Sequence, residues 1–195
     1  MKKMAVINLC ICAAMVALHI VLEVFCTVRI GNDLKISFST LPFIFTAMMC
    51  GPVEGMLTAL TGTLLSQIIT YGITITTPFW VLPGVVQALA AGLIYKGFGR
   101  RTKLIPVGVT IAVSCFVLVI FNLFASYMDG VVIYKYWTIE ALIAVIPFRL
   151  LVYVGIVIVY TAVAMPIYKV VQTICPGDLK RGKQNRERNI DEQEN

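Results

Sequence analysis

Long apolar runs separated by short polar stretches fill the chain from Met4 to about Val171. A bilayer core about 30 Å thick takes roughly 20 helical residues per crossing. The runs therefore predict six membrane helices over 4–28, 36–50, 53–71, 79–95, 104–126 and 138–171. The expected fold class is an all-α membrane protein with six transmembrane helices and cytoplasmic N- and C-termini. Residues 1–175 would form a single membrane domain. Beyond Pro176-Gly177 the pattern ends: 176–195 holds five basic and five acidic residues, cannot bury a core, and is expected to be a disordered cytoplasmic tail.

The first run follows Lys2-Lys3 and resembles a signal peptide at its start. It is longer than a signal core and has no obvious small-x-small cleavage site, so it is read as the first span. Ala13 and Ala17 lie one turn apart on one face. That pair suits either tight packing inside the chain or docking on another membrane subunit. His19 and Glu23 also share a face; they either pair with each other or line a ligand cavity.

The second and third runs meet at Gly51-Pro52, a break too short for a loop. Pro42 lies within the second, which is only about 22 Å long as a helix. The third carries Gly55, Thr58, Ala59, Gly62 and Ser66 at close spacing. In lipid no hydrophobic drive pushes helices together, so such small residues let backbones approach closely instead. Arg29–Asp33 and Tyr71–Pro78 are expected as short outer loops, and Tyr127–Trp137 as the longest one.

Composition agrees with the pattern. Hydrophobic residues make up 59% and charged residues 13%, against about 25% charged in a soluble domain. No room remains for a soluble catalytic domain. The net charge of +6 comes from residues flanking apolar runs, most clearly Lys96, Arg100, Arg101 and Lys103 in a loop without an acid. That is a cytoplasmic topology signal rather than a nucleic-acid footprint. The six cysteines form no C-x-x-C pair and suit small apolar side chains. One histidine, His19, cannot build a metal site of several imidazoles.

No His-Glu-x-x-His, Gly-x-Ser-x-Gly or phosphate-binding loop occurs, and the carboxylates Glu23, Glu54 and Glu140 sit nearer span ends than the midplane. The chain is expected not to be an enzyme and to need no cofactor or metal. The costliest residue to place is Arg149, beside Pro147 and about a third of the way along the last span. A charge there is retained for a ligand or for an internal ion pair with Glu23 or Glu140.

Arg29-Ile-Gly, Lys35-Ile-Ser-Phe-x-x-Leu-Pro42, Gly51-Pro-x-x-Gly55 with Gly62, and Pro147-Phe-Arg149 occur in this order. Together they resemble the substrate-binding S components of energy-coupling factor (ECF) vitamin transporters, the folate group most of all. The resemblance runs from Met4 to about Thr173. Many of those proteins carry an aspartate near the end of the third span, where this chain reads Leu65-Ser66-Gln67.

The resemblance implies six helices in the plasma membrane and a ligand pocket near the outer face. It implies a coupling subunit docked through Ala13 and Ala17, and two cytoplasmic ATPases as partners. Arg149 would then pair with an anionic group of a vitamin-like ligand. Asn122, Gln87 and Gln67 would supply neutral hydrogen bonds, and Glu23 would line the cavity. Trp80, Tyr127 and Trp137 would stack on the ligand or close the mouth. The competing assignments are interface anchors for the tryptophans and interhelical bonds for Asn122 and Gln87. Two alternatives at the level of the whole chain are a stand-alone carrier of a small solute and a non-transporting scaffold.

Overall fold

The computed structural model describes residues 2–30, 34–99 and 104–174. Arg100–Lys103 of the basic loop and the tail from Cys175 onward lie outside the described residues. Six α-helices follow one another: α1 (Lys2–Phe25), α2 (Leu41–Met49), α3 (Pro52–Tyr71), α4 (Thr77–Gly97), α5 (Leu104–Ser126) and α6 (Ile139–Ile174). Among the described residues four regions are long and apolar enough to cross a membrane, in α1, in α4, in α5 with its extension to Ile133, and in α6. Twenty-residue α3 is long enough, but its threonines, glycines, Ser66 and Gln67 hold its hydropathy below theirs.

Residues 36–50 do not form one continuous helix. Ile36 belongs to a short antiparallel ribbon in which β1 (Val28–Ile30) pairs with β2 (Leu34–Ile36), Arg29 opposite Lys35. Ser37–Thr40 has no regular structure, and helix begins only at Leu41, with Pro42 in its first turn. The expected outer loop at 29–33 is thus partly a ribbon. The nine residues of α2 reach about 14 Å, too little to cross without the linker before them. Pro42 through Met48 are all buried, and α2 is packed among α1, α3 and α4. A proline at the start of a helix gives up no hydrogen bond that was available. Pro52 repeats the device: Gly51 takes a φ of 137°, which a side chain would resist, and α3 starts at once.

The small-residue stripe of α3 is used within the chain. A Cβ on Gly55 would overlap Ala47 of α2, 2.6 Å from its Cα. One on Gly62 would come within 2.9 Å of the Phe43 ring and 3.2 Å of His19. Gly92 of α4 repeats the contact at the other end, where a Cβ would sit 2.5 Å from the Pro52 Cα. These approaches hold α1, α2, α3 and α4 together by shape. Helix α5 extends the layer from α4, and α6 leans on α5. A narrow apolar crevice lined by Leu41, Ile44, Phe45, Met48, Ile111, Tyr160 and Ala164 separates α2 from α6.

After Ser126 the chain does not enter a loop. Tyr127–Ile133 continues as a π-helical segment, closed by Tyr134 N–H donating to the Asp129 carbonyl at 3.0 Å. Such segments carry one residue more per turn and often mark functional sites.

Candidate functional site

Two polar clusters occupy the end of the bundle that carries the ribbon. The first joins α1, the Ser37–Thr40 linker, α3 and α6. His19 is buried, with Nδ1 2.6 Å from the Ser39 carbonyl oxygen and Nε2 3.3 Å from Ser66 Oγ. A carbonyl only accepts, so Nδ1 carries the proton. Glu23 Oε2 accepts from Ser39 Oγ at 2.6 Å and lies 3.0 Å from Ser37 Oγ. Thr27 Oγ1 donates to Ser37 Oγ at 3.0 Å. Tyr160 of α6 meets Thr40 Oγ1 at 3.0 Å, directly above the apolar crevice. The Phe38 and Thr40 carbonyls accept from the first N–H groups of α2, and the His19 and Tyr160 side chains donate to the remaining linker carbonyls of Ser39 and Ser37, so that the irregular backbone is satisfied.

The second cluster lies where α5, the π segment and α6 meet. Arg149, about three turns into α6, is half-buried and donates to Ser126 Oγ at 3.0 Å. Asn122 is half-buried four residues before Ser126, on the same face one turn deeper. Asp129 is buried and accepts from Tyr136 Oη at 2.6 Å. Trp137 N–H donates to the Gly130 carbonyl at 3.1 Å, and a Cβ on Gly130 would lie 3.3 Å from the Trp137 side chain. Tyr136 and Trp137 stand edge to face, 6.4 Å between centroids. The chain after the π segment therefore folds back over it as an aromatic cover.

Of the expected site residues, Arg149, Asn122 and Tyr127 lie on the three segments that meet here, and Trp137 on the cover over them. Tyr127 opens the π segment and is exposed, whereas Trp137 is half-buried. Trp80 is half-buried in the first turn of α4, next to Phe79, which packs edge-on against Phe124 of α5 at 6.3 Å. Glu23 belongs to the first cluster. Gln67 is half-buried on α3. Gln87 is fully buried at the middle of α4, its amide 3.5 Å from Cys115 Sγ on α5 and its Oε1 without a partner among the described residues. Ala13 and Ala17 are both exposed on α1, so the close packing inside the chain does not use them.

Ser126, Asp129, Tyr136 and the Ser37–Thr40 hydroxyls were not singled out as site residues from sequence. Ser126 and Asp129 gave a signal: with Asn122 they recur at three- to four-residue spacing along the end of an otherwise apolar run. For Tyr160 there was none.

The model of one family, "ECF transporter, substrate-specific component", matches residues 6–171, most of the chain. The protein belongs to that family. A solved S component of a bacterial ECF transporter superposes with a TM-score of 0.67 at 21% identity, over 85% of this chain and 97% of that one. That likeness supports the fold. Among curated proteins no sequence matches. The chain is a substrate-specific transport component, a multi-pass protein of the cell membrane and not an enzyme. ECF S components in general work with a membrane coupling subunit and ATPases, and the scaffold reading gives way to this one.

Proposed function

We propose that this S component captures a vitamin-like anion, a folate-like molecule best of all, at the outer end of α5 and α6. In this reading the chain crosses the membrane six times, the second crossing made by the Ser37–Thr40 linker together with the short α2, so that both termini lie in the cytoplasm and the ribbon end faces outward. A coupling subunit docks on Ala13 and Ala17, and two cytoplasmic ATPases drive delivery of the ligand inward.

The observation that carries the reading is the half-buried Arg149 held on the neutral hydroxyl of Ser126. A guanidinium within a membrane helix is costly and is kept where it meets a partner or a ligand. Its planar donor fork matches a carboxylate better than a lysine would. Ser126 fixes one arm of that fork, which lowers the entropy lost on binding. Asn122 offers a neutral hydrogen bond one turn deeper. Trp137, Tyr127 and Trp80 supply aromatic surface for a heterocycle.

Tryptophan fluorescence tests this, because Trp80 and Trp137 are the only two in the chain. Titration of the purified protein with folate, pantothenate, riboflavin and pyridoxine should give one tight ligand with a carboxylate. Arg149→Ala should weaken it about 10- to 100-fold, the size of a lost charged hydrogen bond. Unchanged affinity in a folded Arg149→Ala protein would make the arginine structural.

A further inference from the structure

We propose that Asp129 is a second recognition residue, so that the ligand carries an N–H donor (an amine, an amidine or a 2-amino heterocycle) in addition to its anion. The inference rests on the ligand site proposed at Arg149 and names the chemistry of its other half.

Asp129 is an unusual residue to keep in this place. It stands at the end of an apolar helix, is only 8% exposed, and lies beneath the Tyr136–Trp137 cover. A carboxylate there must be compensated by donors. Tyr136 Oη supplies one, to Oδ2. Oδ1 accepts no hydrogen bond among the described residues, yet it is not sealed in as Gln87 Oε1 is. A carboxylate oxygen that is sheltered, reachable and uncommitted is what a ligand N–H needs.

Position ties it to the arginine. Asp129 follows Ser126 by three residues, and Ser126 holds the Arg149 guanidinium. Side chains three or four apart on a helix lie about 5–6 Å from each other at Cβ. The π segment, which begins between the two, turns residue 129 relative to an ordinary helix and carries it under the cover. One short stretch thus presents a cation-holding serine and an uncommitted anion. A ligand with an acid at one end and an N–H face at the other would meet both, and a simple fatty or sugar acid would leave Oδ1 without a donor. The same placement discriminates, because a site built to bond an N–H rejects analogues that lack it.

Three probes separate the possibilities by fluorescence titration: folate, with carboxylates and a 2-amino heterocycle; lipoate, with a carboxylate and no N–H; and thiamine, with an aminopyrimidine and no anion. The expected result is binding of folate only. Asp129→Asn should weaken it at least about tenfold, and Tyr136→Phe, which keeps the carboxylate, about twofold or less. Lipoate binding as tightly as folate, or an Asp129→Asn protein with unchanged folate affinity, overturns the role of Asp129 and leaves that of Arg149 standing. Thiamine binding in preference to folate overturns the anion reading and with it the two-ended ligand. If none of the three binds, the compound released by denaturing the purified protein is identified by mass spectrometry. A compound with both groups supports the proposal, and one that lacks either overturns it.

Discussion

His19 of α1 donates from Nδ1 to the Ser39 carbonyl at 2.6 Å, across twenty positions of sequence and inside the bundle. Its ring also lies 4.2 Å, centroid to centroid, from Phe43 of α2. One side chain therefore fixes the irregular linker and the short helix that follows it. His19→Ala leaves a buried carbonyl without its donor and a void against Phe43. The expected loss is about 2–4 kcal/mol, from an unmet hydrogen bond plus a cavity. Glu23→Gln keeps the shape and an acceptor, so it should cost about 1 kcal/mol. Thermal unfolding in detergent should rank the two in that order; a His19→Ala protein that unfolds at the wild-type temperature would deny the linker this anchor.

The glycines divide into two groups that can be compared directly. Gly55→Ala and Gly92→Ala each push a methyl into the backbone of a neighbouring segment, Ala47 and Pro52. Overpacking of this kind costs about 1–3 kcal/mol. Gly155 of α6 faces open space. Gly155→Ala should be neutral or stabilise by about 0.5–1 kcal/mol, as alanine does within a helix. Equal effects at all three positions would show that the close contacts carry no energy.

Gln87 makes the opposite case. Its Oε1 is buried without a partner among the described residues, a deficit of about 1–3 kcal/mol. Gln87→Met removes that deficit at similar volume and should leave the protein as stable or more so, by about 1 kcal/mol. Ligand affinity should stay within about twofold, as expected for a group that touches none of the ligand's charged contacts. A large loss of affinity would move Gln87 from helix packing to the ligand.

The helices of this chain were legible because lipid imposes a simple rule, long apolar runs with every backbone group satisfied. Five of the six predicted helices lie within a few residues of those observed. The exception, 36–50, shows what the rule omits. An apolar run of that length suits a short span or a buried half-helix equally well. Ile36 was drawn into a ribbon whose partner strand lies at Val28–Ile30, a pairing invisible in local hydropathy. The hydroxyls of Ser37 and Ser39 then donate to distant Glu23, and that of Thr40 pairs with Tyr160. The same holds for the π segment, where an aromatic-rich stretch looks like a loop until Gly130 admits Trp137 against it. Arg149 was legible through its cost alone. Asp129 was legible only as part of a polar spacing with Asn122 and Ser126, because the fold alone places it under the Tyr136 hydroxyl.

The most direct test of the whole account lies on α1, away from the ligand. Ala13 and Ala17 are exposed, so leucine at either should leave folding intact. The same leucine should fill the shallow surface that a partner helix needs for close approach. The tagged protein is purified from membranes and its companions are identified. Wild type should bring down a membrane coupling subunit and two ATPases. Ala13→Leu and Ala17→Leu should lose all three and still unfold at the wild-type temperature. Bulky variants that retain the complex, or a wild-type protein that purifies alone, would contradict the account.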